Sequence, residues 1–258
     1  MNNKYIINSV LKIPISLIEG IPIVGPVIGY VVEDYANRQL SRLEETRVGD
    51  AAKYCIDKIQ RKQMLGLKLR RDDRFFANNE NYRSDAAEVF EGVLTKCKIE
   101  HEQRKSNFIS NIFVNAAFEE VSIGQANYIL KLAAAMTFRQ FCLLKLIFEN
   151  SDNKYMLQSK EVDKTYSSEE ASLMQEIYDL TQMGLVLKLM PEENKNGITY
   201  DELERIKENT FNAMFGLGDI VPGKMVVSPL GEAAYRLLDL EEIDYVEIER
   251  FVLLLQNK

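Results

Sequence analysis

Residues 13–32 read IPISLIEGIPIVGPVIGYVV, and this stretch decides how the rest of the chain is interpreted. It has roughly the length of a membrane-spanning helix, about 20 apolar residues, and it carries a single charge, Glu19. Prolines and glycines interrupt it at Pro14, Pro22, Pro26, Gly20, Gly25 and Gly29. Because a proline inside a helix costs about 3 kcal/mol, the pattern predicts two short helices with a turn near residues 20–22.

Four placements of this segment stay open: a signal peptide, a membrane span, a peripheral membrane contact and a buried hairpin. Lys4 and Lys12 precede it, but no small-residue cleavage site follows. The Gly25-xxx-Gly29 spacing matches a pattern of packed membrane helices, whereas the prolines argue against a span. We favour a hairpin covered by the helices that follow. The residues expected to contact a membrane or a partner are Ile21, Ile23, Val24, Val27, Ile28 and Val31.

Charge is distributed unevenly along the 258 residues. Residues 1–136 hold 19 basic and 17 acidic residues, whereas residues 137–258 hold 13 and 22. This difference predicts a helical domain at 1–136 and a second domain at 137–258. The net charge of -7 is atypical of a nucleic-acid-binding protein.

The three cysteines are odd in number and far apart in the sequence, and each lies in an apolar, helix-like context (Cys55, Cys97 and Cys142). This usage predicts buried free thiols in a reducing compartment rather than a disulfide framework. We therefore expect a cytoplasmic protein, with peripheral attachment at the inner membrane as the alternative.

Helical periodicity continues from residue 33 to residue 71, and basic residues are frequent over 38–74. A stripe of this kind can bind the phosphates of nucleic acid or of lipid. Interspersed acidic residues instead favour a solvated face with ion pairs between successive turns. The candidate basic patch consists of Arg38, Arg42, Arg47, Lys58, Arg61 and Lys62.

Serines mark the expected starts of later helices. Ser84 is expected to cap a helix that runs to about residue 107 or as far as residue 118, and Ser122 begins a shorter one. Ser167 and Glu170 match a capping box.

The order of elements after residue 137 predicts a winged-helix-like domain with a small β wing. Two helices precede a strand at 185–190, an acidic insertion at 191–223 with a helix at 200–214 follows, and the return strand covers 224–227. A helix to about residue 239 and a closing helix at 246–255 complete it. The whole chain is therefore expected to be mainly α-helical.

The second helix of this domain would read DNA in a conventional winged helix. It carries neither lysine nor arginine. Its four carboxylates are those of Glu169, Glu170, Glu176 and Asp179. Such a helix would repel phosphates, so we expect this domain to dock a protein rather than nucleic acid.

Signatures of catalysis are scarce. The single histidine, His101, excludes a zinc site with two histidines. Cys97 lies four residues before it, so a thiolate–imidazole pair is conceivable, although a packed thiol and an exposed imidazole are favoured. Residues 218–224 have the spacing of a phosphate-binding loop, but Met225 replaces the required Ser or Thr. We predict no catalytic, cofactor-binding or metal-binding residues, and no small-molecule substrate.

Four stretches carry a resemblance to a known family: IPIVGPVIGYVVEDYANRQLSRLEE at 21–45, EHEQRKSNFISNIFVNAAFEE at 100–120, LTQMGLV at 180–186 and VVSPLGEAAYRLL at 226–238. In these the chain resembles the abortive-infection alpha family of bacterial phage-defence proteins. The resemblance implies a prokaryotic defence role and supplies no catalytic residues. The acidic insertion at 191–223 departs from the compact family pattern, so the partner is not carried over.

Three function classes follow from these observations. The leading one is a non-enzymatic defence protein that docks a protein partner or a second copy of itself, with the apolar hairpin shielded until a trigger releases it towards a membrane. The alternative is a winged-helix regulator that binds nucleic acid through the basic helix at 38–74. The third is an enzyme whose site is assembled only in three dimensions.

Overall fold

The structure, a computed structural model, describes residues 13, 15–71, 75–77, 83–159, 166–189 and 220–256. The fold is mainly α-helical, as the sequence predicts. Two compact units are present: Met1–Phe138 with Leu237–Asp239, and Arg139–Arg236 with Leu240–Lys258. The sequence placed the division at 136/137 and did not anticipate that residues 237–239 belong to the first unit.

The apolar stretch folds as a helical hairpin. Helix α1 (Ile15–Glu19) ends before a turn, and helix α2 (Gly25–Ala36) begins with Pro26 in its first turn, where a proline removes no needed hydrogen bond. A Cβ at Gly25 would lie 2.3 Å from the carbonyl oxygen of Ile18. The close approach of the two helices therefore requires glycine at this position.

Four further helices build the first unit: α3 (Arg42–Met64), α4 (Asp85–Ile99), α5 (Gln103–Ala116) and α6 (Ile123–Ala135). Helix α4 packs against α2, α3, α5 and α6. The predicted serine caps at Ser84 and Ser122 are confirmed, since their side chains accept from the backbone N–H groups of Ala87 and Gln125.

Two predicted helices are each interrupted. The helix expected over 33–71 breaks after Ala36, and α3 starts anew because Ser41 and Glu44 form a capping box. The helix expected from Ser84 to about 107 ends at Ile99, because Glu100 adopts an extended backbone conformation. Periodicity in the sequence continues across both breaks, so it does not reveal them.

The second unit contains α7 (Phe138–Glu149), whose first residue belongs to the first unit, and α8 (Ser168–Gln182). Strands β1 (Val186–Lys188) and β2 (Met225–Val227) pair antiparallel with Leu187 opposite Val226. A 3₁₀ turn (Pro222–Lys224), α9 (Pro229–Leu237), a second 3₁₀ turn (Leu240–Glu242) and α10 (Tyr245–Leu255) complete the order. The predicted helix at 200–214 lies outside the described residues.

Local chemistry explains how β2 leads into α9. The hydroxyl of Ser228 donates to the carbonyl of Gly184 at 2.6 Å and accepts from the N–H of Gly231 at 2.9 Å. Gly184 has φ +73°, which ends α8 in the left-handed conformation that favours glycine. The capping box of Ser167 and Glu170 at the start of α8 is confirmed.

Candidate functional site

The six apolar residues predicted to contact a membrane or partner lie in the turn before α2 and along α2. Five of them are buried, and Ile23 alone is exposed; the buried ones are Ile21, Val24, Val27, Ile28 and Val31. Helix α2 packs against α4, and α1 packs against α2 and α3. The hairpin is therefore part of the core of the first unit. Among the described residues, no helix combines the length and hydropathy that crossing a bilayer requires.

Polar contacts close the end of the hairpin. The buried Tyr35 hydroxyl lies 2.5 Å from the Thr95 hydroxyl, and burial raises the pKa of Tyr35. Arg38 lies two residues after the end of α2. Its guanidinium stacks over the Tyr35 ring and forms ion pairs with Glu91, at 2.7 Å, and with Asp34. Arg38 thus holds the C-terminal end of the hairpin against α4.

The other residues of the predicted basic patch have different surroundings. Arg42 and Arg61 are exposed, whereas Arg47 donates to the carbonyl of Lys98 at 3.3 Å. Lys62 donates to the side-chain oxygen of Asn115, and Lys58 is buried. The structure therefore does not bring the six predicted residues together in one exposed patch.

A polar cluster, here called the polar clasp, consists of the buried Lys58, Asn111 and Asn115 and the half-buried Asp239. The Lys58 ammonium lies 2.6 Å from the Asp239 carboxylate and donates to the Asn111 side-chain oxygen at 2.8 Å. The Asn115 amide donates to the Asp239 carboxylate at 2.9 Å. Every member therefore has a charged or hydrogen-bonded partner, as burial of polar groups requires.

The polar clasp also holds the backbone at 237–239. The amide of Asn111 donates to the carbonyl of Leu238 at 2.9 Å, and that of Asn115 donates to the carbonyl of Leu237 at 3.1 Å. These carbonyls lie at the C-terminal end of α9, where no further helical N–H group is available to them. Asp239 has φ +50°, a left-handed conformation that aspartate tolerates. The clasp was missed from the sequence; its one signal is the spacing of four between Asn111 and Asn115 in an otherwise apolar run.

A second buried ion pair lies at the break between α4 and α5. Glu100 lies 2.6 Å from the Lys105 ammonium and accepts the N–H of Glu102 at 2.9 Å. Burial alone would raise the pKa of Glu100, but the hydrogen bonds from Lys105 and from the Glu102 backbone outweigh it, so the pKa is lowered. This pair explains why the helix stops where periodicity predicts that it continues.

We expect Glu100→Gln to destabilise the protein at neutral pH by about 1–3 kcal/mol, because the buried Lys105 keeps only the more distant Glu102 carboxylate, at 4.0 Å, as a countercharge. A folded-state pKa below the ordinary value stabilises the fold above that value, and this contribution is lost as the pH falls through the folded-state pKa. Urea unfolding at several pH values should therefore show a smaller acid-induced loss in the variant. Glu119→Gln, at an exposed position, is the control; equal behaviour of the two variants would refute the role given to Glu100.

The favoured interpretation of Cys97 and His101, a packed thiol and an exposed imidazole, is confirmed. Cys97 is buried, and burial raises its pKa to about 12, so it is a neutral thiol at physiological pH. His101 lies beyond the end of α4, with its side chain exposed and 3.4 Å from Glu100. Among the described residues, no group of three or more His, Cys, Asp or Glu side chains could hold a metal ion.

Gly223, in the segment that resembles a phosphate loop, has a packing role. Its N–H donates to the carbonyl of Gln158 at 2.6 Å, and a Cβ there would lie 2.7 Å from the carbonyl oxygen of Leu157. Strand β2 follows, where a phosphate loop needs a helix. Gly218, the first glycine of the pattern, lies outside the described residues.

The acidic helix α8 is tied to its neighbours. Arg139 donates two hydrogen bonds to the Glu176 carboxylate, at 2.8 and 2.6 Å, and Arg250 pairs with Glu169 at 2.6 Å. Bidentate arginine–carboxylate pairs of this kind fix orientation as well as charge. Beside this helix, Leu187 of β1 and Leu189, which follows the strand, are exposed.

One exposed apolar feature was missed from the sequence. Residues 64–67, MLGL, begin at the last residue of α3, and Met64 is 84%, Leu65 81% and Leu67 50% exposed. Gly66 has φ +85°, so it ends the helix in the left-handed conformation. The glycine within an apolar run was the available signal, but the helical pattern through residue 71 concealed it.

No family model, curated protein or solved structure matches this chain.

Proposed function

We propose that this chain is a non-enzymatic, helical protein of prokaryotic phage defence, of the abortive-infection type, that acts by docking a protein partner. The stretches that carry the family resemblance supply α2, α5, the α8–β1 connection and the β2–α9 connection. Several of their residues have demanding structural roles, including Gly25, Asn111 and Gly231. A cytoplasmic location is part of this proposal.

We assign the docking role to the second unit, which we interpret as winged-helix-like. The order α7, α8, β1, β2, α9 supports this interpretation. The observation that carries the function is the exposure of Leu187 on β1 and of Leu189 directly after it, beside an α8 that has neither lysine nor arginine. An apolar strand next to an acidic helix suits a protein partner with a basic, apolar surface, not a phosphate backbone. Self-association through the same strand is the second form of docking.

Docking with the hairpin in place is favoured over its release. The five buried hairpin residues contribute roughly 8–15 kcal/mol of apolar burial, at about 1.5–3 kcal/mol each. That is comparable to the whole free energy of unfolding of a domain, about 5–15 kcal/mol. A trigger would have to supply this amount in new contacts, whereas the exposed wing needs no rearrangement.

The alternative, nucleic-acid binding through the helix at 38–74, has less support. Lys58 lies in the polar clasp, and Lys62 is hydrogen-bonded to Asn115. Of the six named cations, Arg42 and Arg61 are exposed on α3, and with the exposed Lys53 they form a small positive surface for phosphate binding.

The proposal predicts that bacteria expressing the chain resist at least one phage in a diverse panel, measured as a lower plating efficiency. Leu187→Asp should abolish this protection, because a carboxylate replaces an exposed apolar contact. The matched control is Leu253→Asp on α10, since the two leucines are 50% and 53% exposed. Protection that is absent throughout, or unaffected by Leu187→Asp, would refute the proposal.

A further inference from the structure

The exposed apolar segment at 64–67 lies within a cationic stretch. Residues 58–71 read KIQRKQMLGLKLRR, with six lysines and arginines and no acidic residue. Lys58 is buried, and Lys62 binds Asn115. The exposed cations that flank the segment are Arg61, Lys68 and Arg71.

The base of this segment is firmly held. Leu69 is buried, and the Arg70 guanidinium donates to the carbonyls of Ala116 and Val121 at 3.2 and 2.9 Å. The Arg70 side chain also lies over the Phe75 ring, 4.6 Å from its centroid. These contacts fix the backbone from which residues 64–67 extend into solvent.

We propose that residues 64–67, here called the apolar tip, insert into the headgroup region of an anionic membrane, while Arg61, Lys68 and Arg71 bind the lipid phosphates. Exposed apolar side chains flanked by cations match the two layers of such a surface, an apolar interior and an anionic headgroup plane. A cation near an anionic bilayer adds about fivefold to affinity.

The combination of cations and exposed apolar side chains favours an anionic membrane over nucleic acid as the binding partner. Nucleic acid would engage the cations but leave Met64 and Leu65 in water. The buried residues of α2 are not needed for this contact, so it requires no release of the hairpin. It also does not depend on the wing or on the defence role of the proposed function. Asp72 and Asp73 follow in the sequence and lie outside the described residues.

A tryptophan reporter tests the insertion, because the chain contains no tryptophan. Leu65→Trp is expected to shift its emission to shorter wavelength with vesicles of phosphatidylcholine and phosphatidylglycerol, and to shift little with phosphatidylcholine alone. Val246→Trp, at a 76% exposed position on α10, is the matched control and should not shift. No shift for Leu65→Trp, or equal shifts for both variants, overturns the proposal.

Co-sedimentation of the full chain with the same vesicles measures affinity. Leu65→Asp should weaken binding about tenfold or more, and Lys68→Glu with Arg71→Glu should weaken it by a similar factor. Val246→Asp should bind as the parent does. Loss of binding on Ile23→Asp but not on Leu65→Asp would move the contact to the hairpin and overturn the proposal. Binding to DNA without binding to anionic vesicles would also overturn it.

Discussion

Lys58→Ala is expected to lower the free energy of unfolding by about 3 kcal/mol, because it leaves the half-buried Asp239 carboxylate without its countercharge. The same change removes the donor to the Asn111 side-chain oxygen. Since Asn111 and Asn115 hold the backbone at 237–239, the loss of order should spread through that segment. Urea unfolding followed by circular dichroism measures the loss, and hydrogen exchange at residues 237–239 locates it.

Graded variants separate charge from packing at the polar clasp. Lys58→Met keeps the apolar stem, and Asp239→Asn keeps a side chain that tolerates φ +50°. If the ion pair dominates, the double variant should be more stable than the sum of the two single losses predicts, by about 0.5–3 kcal/mol. The matched control is Arg61→Ala, one turn along α3 and exposed, with an expected effect within about 0.5 kcal/mol. Equal effects of Lys58→Ala and Arg61→Ala would contradict the assignment.

Lys58 also illustrates what the sequence does not contain. Helical periodicity placed it with other cations on a polar face, because that argument uses only neighbours within one or two turns. Its partners come from Asn111 and Asp239, and the amide of Asn111 itself reaches a residue 127 positions along the chain. A lysine that is buried by such distant partners cannot be distinguished from a solvated one by local pattern.

Features with local causes were predictable. Ser84, Ser122 and Ser167 each cap a helix within three residues of themselves, so a short window of sequence contains the whole interaction. The antiparallel pairing of β1 with β2 follows from two short apolar runs in suitable order. Breaks after Ala36 and Ile99 were missed, because residues on both sides continue the same apolar periodicity.

The candidate site was predicted unevenly for a related reason. The composition of residues 13–32 correctly indicated a segment that needs cover, and five of the six named side chains are indeed buried. Composition alone does not indicate which apolar residues are exposed to solvent. At the apolar tip, exposure depends on where Gly66 turns the chain, and one glycine in a helical pattern does not predict that turn.

Gly231→Ala is expected to destabilise the second unit by about 3 kcal/mol or more. The added Cβ would lie 2.1 Å from the carbonyl oxygen of Leu185 and 2.6 Å from the Cγ1 atom of Val227. The first of these atoms belongs to the backbone beside β1, so no change of side-chain rotamer relieves the overlap. Strand β1 and helix α9 would have to separate, which would also break the hydrogen bond from Ser228 to Gly184.

Thermal unfolding of Gly231→Ala and of Gly124→Ala provides the decisive comparison. Both glycines lie near the start of a helix, but a Cβ at Gly124 would have no neighbouring atom within 4 Å. Alanine at that position should be neutral or stabilising by up to about 1 kcal/mol, because it restricts the unfolded chain and favours the helix. If Gly231→Ala destabilises the protein and Gly124→Ala does not, the close backbone contact at residue 231 is the reason that glycine is required there. Equal effects would mean that β1 and α9 do not approach each other this closely in the folded protein.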